Sequence, residues 1–203
     1  LIAHSNPVTV FTEMRNHMGS RKMYLFTVSF NTASMNPLKR FTLIGIIFVL
    51  VTGSLAHFVY DWSLQNFIIG FFFPVSESTW EHMKLVFFPM LLYGLFLYSR
   101  LKEDYPCLAS ALPAGILSGT FLIPVLFYTY SGILGKNYMA LDITTFVIAV
   151  LVAFIRTYRL TLSCRGVPFL IPLWTAVIIT LVCFLLFTYL PPDLGLFVSP
   201  VPG

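Results

Sequence analysis

Apolar residues run along this chain in five long stretches, each close to the roughly 20 residues of helix that cross a bilayer core. They cover residues 41–60, 83–99, 108–130, 138–158 and 168–190. The pattern predicts five membrane-spanning helices packed as an all-α, polytopic membrane helix bundle. A sixth apolar stretch, 66–75, is too short to cross and contains Gly70 and Pro74. It reads as a re-entrant or interfacial segment, a form tolerated at membrane depth only where protein covers its backbone.

Small residues predict which helix faces meet. Gly45, Val49, Gly53, His57 and Asp61 recur at every fourth position, so they share one face of the first span. Ala111, Gly115 and Gly119 form a ridge on the third span, and Asp142, Thr145, Ala149 and Ala153 another on the fourth. Such ridges let helix backbones approach closely. Pro89, Pro113, Pro124 and Pro172 lie within spans, where neighbouring helices can accommodate them. No internal repeat is visible, which argues against a transporter built from inverted repeats.

Composition agrees with a membrane protein. The chain is 58% hydrophobic and 10% charged, against about 25% charged in soluble domains. Its net charge of +4 does not point to nucleic acid, because the basic residues are scattered at the ends of apolar segments. The expected partner is the lipid bilayer; substrate and oligomeric state stay open.

Charge bias predicts orientation. From Met35 onward, seven basic residues, Lys39, Arg40, Arg100, Lys102, Arg156, Arg159 and Arg165, fall on one side, and two, Lys84 and Lys136, on the other. This places the N-terminus in the cytoplasm and the C-terminus outside a cell membrane. Asp61, Glu77, Glu81, Asp142 and Asp193 then fall outside, with Glu103 and Asp104 inside. Cys107, Cys164 and Cys183 have no metal or redox spacing. The first two are expected at the cytoplasmic side and all three are expected to stay thiols.

Residues 1–34 are polar and mixed and lack the apolar core of a signal peptide. They are expected to lie outside the fold, with Met35 or Met23 as the natural start and 35–203 as a single transmembrane domain. The tail at 198–203 has no capping signal and reads as a truncation point.

The chemistry concentrates in one place. His57, Asp61, Glu77, Glu81 and His82 fall within 26 positions of a chain with eight acidic residues and four histidines. Ionisable groups at membrane depth are costly and point to function by default. His57 and Asp61 are one turn apart, so the carboxylate can orient the imidazole or share a metal with it. The plainer alternative is a histidine bonded to a neighbouring helix. Ser78-Thr-Trp-Glu81 matches the capping box, in which the hydroxyl takes a backbone N–H and Glu81 reaches back to the cap. That explains Ser78 and gives Glu81 a structural alternative.

Asp142, one turn into the fourth span, faces the same leaflet as a ligand, a partner of Lys136 or a helix cap. Asn66 lies close in sequence, and Trp62 and Trp80 read as interfacial anchors. The set predicts His57, Asp61, His82 and Asp142 as metal ligands and Glu77 and Glu81 as catalytic carboxylates. Nitrogen and oxygen donors suit a divalent metal such as zinc. Three ligands with an open position would support hydrolysis of a lipid-like or small polar substrate. Two other readings stand beside it: a small transporter or transporter subunit coupling protons or cations through carboxylates, and a structural membrane protein whose acids only cap helices. His-Glu-x-x-His, Gly-x-Ser-x-Gly and phosphate-loop motifs do not occur.

The stretches 53–63 (GSLAHFVYDWS), 74–84 (PVSESTWEHMK), 135–142 (GKNYMALD) and 191–197 (PPDLGLF) resemble blocks of a family of small uncharacterised bacterial integral membrane proteins, known as a domain of unknown function. The resemblance runs from about Met35 to the end. It implies a bacterial membrane protein and places His57, Asp61, Glu77, Glu81, His82 and Asp142 in the family's motif blocks, without supplying an activity. A looser likeness is to membrane hydrolases related to alkaline ceramidase. The chain departs from these in lacking their paired-histidine helix and in having fewer spans.

Overall fold

The computed structural model describes residues 8–15, 21–28 and 36–200. Residues 1–36 and 37–203 form two compact units. In the first, β1 (Val8–Arg15) pairs antiparallel with β2 (Arg21–Val28), with Val8 opposite Val28 and Arg15 opposite Arg21. Their valines, threonines and aromatics suit extended backbone. The all-α expectation concerns the bundle from residue 35 onward, outside this hairpin. The expectation that residues 1–34 stay outside the fold falls largely outside the described residues.

The second unit is all-α. It runs through α1 (Pro37–Trp62), the one-turn α2 (Phe67–Gly70), α3 (Thr79–Leu101), α4 (Leu108–Leu134), α5 (Met139–Ser163) and α6 (Leu170–Phe187). Five of these helices are long and apolar enough to cross a membrane, which is the build of a multi-pass membrane protein. Local signals set their ends. Proline occupies the first position of α1, where its missing N–H costs nothing. Ser78 caps α3 through its hydroxyl, 3.3 Å from the Glu81 N–H. Gly135 closes α4 at φ +73°, a left-handed conformation that glycine adopts freely.

α3 and α4 form the centre. α3 packs on α1, α4 and α5; α4 packs on α5 and α6; α1 meets α5. α1 and α6 leave rows of apolar side chains exposed, among them Ile47, Val51 and Leu55 on α1 and Ile171, Ile178 and Val182 on α6. Such rows are compatible with a lipid bilayer around the bundle. Consecutive spans alternate in direction. The end of α1, the start of α3, the end of α4, the start of α5 and the end of α6 therefore gather at one end of the bundle.

The small-residue faces are the lines of contact. A Cβ on Gly53 would stand 2.6 Å from the Leu85 carbonyl oxygen, and one on Gly119 2.7 Å from the Ala153 Cβ. At Gly115 it would stand 2.7 Å from the Ala153 carbonyl oxygen and strike the Thr157 hydroxyl. Gly132, on the same helix α4, has nothing within 4 Å of such a Cβ. Gly115→Ala is therefore expected to destabilise the protein by about 1–3 kcal/mol, as overpacking does. Gly132→Ala is expected to be neutral or to stabilise by up to about 1 kcal/mol through helix propensity. Thermal unfolding in detergent distinguishes the two, and equal shifts would contradict the packing.

The expectation of three thiols is corrected. Cys107 and Cys164 form a disulfide, with Cα atoms 5.2 Å apart, joining the start of α4 to the end of α5. They are 57 positions apart in the sequence, and only the antiparallel packing of α4 on α5 brings them together. Cys183, half-buried on α6, stays a thiol. Protein unfolded without reductant should take up one maleimide per chain, and three after reduction. Three before reduction would show that the bond is not made.

Candidate metal centre at one end of the bundle

The helical phase of α1 turns His57 in line with Val49 and Gly53, toward α3. α3 supplies His82 in its first turn, and the loop before Ser78 supplies Glu77. The His82 Nδ1 lies 2.9 Å from the Ser78 carbonyl oxygen. In that contact Nδ1–H donates, which leaves the Nε2 lone pair free for a ligand. Nε2 of His82 stands 3.5 Å from Glu77 Oε2, and Nε2 of His57 stands 3.5 Å from Glu77 Oε1. The imidazole centroids are 5.3 Å apart. One ligand atom from each of His57, Glu77 and His82 lies within 4.8 Å of the others.

The two imidazole–carboxylate separations of 3.5 Å suit a small ion, and ligand atoms as far apart as 4.8 Å would have to draw closer to share one. Bonds of 2.0–2.1 Å in a tetrahedron place ligand atoms about 3.3–3.4 Å apart. The side chains of His57 and His82 are 30% and 29% exposed and that of Glu77 is 67% exposed, so the cluster opens to solvent. Nδ1 of His57 is buried and makes no hydrogen bond among the described residues.

The other expected site residues lie elsewhere. Asp61 is exposed and outside the cluster. Four residues of helix rotate about 40° past one full turn, and the 71–78 turn returns at the level of His57. Asp142 is also outside. Its carboxylate takes the Tyr130 hydroxyl across the α4–α5 contact, while Lys136 lies over the Tyr138 ring at 4.9 Å. Asn66 caps α2, its side-chain oxygen accepting from the Ile68 N–H at 2.9 Å. Trp62 is 67% exposed and stacks on Phe58, as an interfacial anchor would. Trp80 is buried among Phe184, Phe187 and Phe197, which corrects its reading as an anchor.

Glu81 faces the other way from Glu77. It is 3% exposed and pairs with Lys84 Nζ at 2.7 Å. The capping box is half made: the Glu81 N–H donates to Ser78, but the carboxylate accepts from the Val75 N–H at 3.0 Å instead of reaching back to the cap. Lys84, read from the sequence only as an outer-side charge, is fully buried. It also donates to the Gly70 carbonyl at 3.1 Å and to the Thr188 hydroxyl at 2.6 Å. The signal available beforehand was an acid and a base three positions apart on one helix, in an otherwise apolar run. Nearby, the Tyr189 hydroxyl donates to the Phe67 carbonyl at 2.7 Å.

The DUF6512 family, described as a family of unknown function, matches residues 30–203. The chain belongs to that family. The match takes in all six helices, both imidazoles, Glu77 and the Glu81–Lys84 pair, together with the four sequence blocks at 53–63, 74–84, 135–142 and 191–197. No curated protein and no solved structure matches the chain. Membership supplies no activity, so function has to be argued from the geometry.

Proposed function

We propose that His57, Glu77 and His82 bind a divalent transition-metal ion, zinc foremost, and that the site serves hydrolysis of an amphiphilic substrate at the membrane surface. The observation that carries this reading is the meeting of three donors from α1, the connecting loop and α3 within 4.8 Å. Two imidazoles and a carboxylate with a position left open make a ligand set of hydrolytic zinc. The exposure of Glu77 leaves room for a water. Bound there, the ion would supply Lewis acidity to that water. The Ser78 carbonyl orients His82, as outer partners of metal-binding histidines do. Glu77 is a ligand in this reading, and Glu81 lies too deep in its own ion pair to act on substrate. Phe58 and Trp62, exposed beside His57, offer an apolar edge for the tail of an amphiphile.

We place the cluster on the outer face, from the basic residues at the opposite end. The Cys107–Cys164 bond lies at that basic end, and disulfides are rare in reducing compartments. The disulfide and the charge bias therefore point to opposite orientations, and the one proposed here follows the charge bias, seven basic residues against two. The space directly beneath the cluster does not favour a transport path. Below His57 the helices close on Val49 and on Gly53, whose backbone sits against Leu85 and Phe146.

Elemental analysis of zinc-loaded, dialysed protein tests the reading. About one zinc per chain is expected, together with ester hydrolysis on short amphiphiles that a chelator abolishes. Metal at background levels overturns the site. Metal without hydrolysis overturns only the activity.

A further inference from the structure

We propose that the buried Glu81–Lys84 ion pair is the positioning device of this centre: it clamps the 66–75 segment so that Glu77 stands between the two imidazoles. The inference rests on the metal-centre reading above. Among the described residues neither side chain bonds to a side chain of the cluster, although Glu81 precedes His82 in the chain. Lys84 has three ammonium protons and three acceptors, the Gly70 carbonyl, Glu81 Oε2 and the Thr188 hydroxyl, so its bonding capacity is filled. Such a group has nothing left for a ligand.

What the pair holds is backbone. Lys84 grips the carbonyl of Gly70 at the end of α2, and Glu81 grips the N–H of Val75, two residues before Glu77. Both sides of the 71–74 turn are therefore tied to the first two turns of α3. The Gly70 site is also shaped for its neighbours: a Cβ there would stand 2.7 Å from Val75 Cγ1 and strike the Tyr189 hydroxyl. Thr188 and Tyr189 brace the same segment from the end of α6, through Lys84 and the Phe67 carbonyl.

Glu77 itself has little to hold it. Its side chain is 67% exposed, and among the described residues its carboxylate meets only the two imidazoles. Its place is set by flanking backbone: Val75, held by Glu81, on one side, and the Ser78 cap on the other. Buried ion pairs seldom add stability over apolar replacements, and their better-attested use is to fix one geometry among several. Here the geometry fixed is that of an exposed ligand.

The test reads zinc affinity, by competition with a chelator, and hydrogen exchange over residues 66–78. Lys84→Met is expected to weaken zinc binding about 10–100-fold, the usual range for outer partners of a metal site. The loss should vanish in a Glu77→Ala background, because the pair acts through Glu77. Exchange at 66–78 should rise whether or not zinc is present. Unchanged affinity, or the same fold-loss with and without Glu77, overturns the proposal. Glu81→Gln keeps an acceptor for the Val75 N–H and should show a smaller loss of the same kind. It replaces Lys84→Met if that variant does not fold. If the wild-type protein binds no zinc, the metal reading fails by itself. Exchange then still decides the clamp, and unaltered protection of 66–78 in the variants overturns it.

Discussion

Replacing His57 and His82 together with alanine is expected to abolish zinc binding, leaving metal at the level of a protein without a site. Each imidazole presents Nε2 to Glu77 at 3.5 Å, so the double variant retains one exposed carboxylate. A single carboxylate in water does not hold zinc against a chelator. Each single variant is expected to lose more than the roughly 10–100-fold that removal of an outer partner costs. Asp61→Ala and Asp142→Ala should leave metal content unchanged, since neither carboxylate reaches the cluster. Stability offers a second readout. Zinc at 100 times its Kd stabilises a one-site protein by about 2.7 kcal/mol. That increment should appear in thermal unfolding of the wild type and be absent from the double variant. Acid should strip the metal reversibly, because protons compete with it for the imidazole lone pairs. Full metal content in the double variant would remove the site.

Lys84→Met should be among the most destabilising single substitutions in the bundle, by about 3–5 kcal/mol, the usual cost of breaking a buried ion pair from one side. The side chain of Lys84 has no solvent exposure and that of Glu81 has 3%. Removing the ammonium leaves a carboxylate buried without its counter-charge and the Gly70 carbonyl without its donor. The double variant Glu81→Gln, Lys84→Met removes both charges and keeps an oxygen for the Val75 N–H. It should be more stable than Lys84→Met alone, a reversal that no sum of independent losses produces. Thermal or denaturant midpoints in detergent give the comparison. If the double variant is the least stable of the set, the pair is not coupled as described.

The fold was legible in the sequence because its signals are local. The lengths of apolar runs marked the spans, and the fourfold spacing of Gly45, Val49 and Gly53 marked the buried face of α1. Ser78 announced the start of α3. The site was legible only as a neighbourhood. His57, Glu77 and His82 stood out by residue type, but so did Asp61, Glu81 and Asp142. Helix periodicity ranked His57 and Asp61 together. It contains no information on the level at which the returning 71–78 turn meets α1.

By itself, then, the sequence determined five spans, the packing faces of three of them and the cap that starts α3, since hydropathy and helical period act over a turn or two of chain. The tertiary structure alone decided which polar groups meet. Lys84 finds a partner in Thr188, 104 residues away, and Cys107 meets Cys164 across 57 residues. Glu77 and Glu81, four positions apart, diverge to an exposed cluster and a buried ion pair. Those pairings depend on where loops land and helices cross, which no window of local residues encodes.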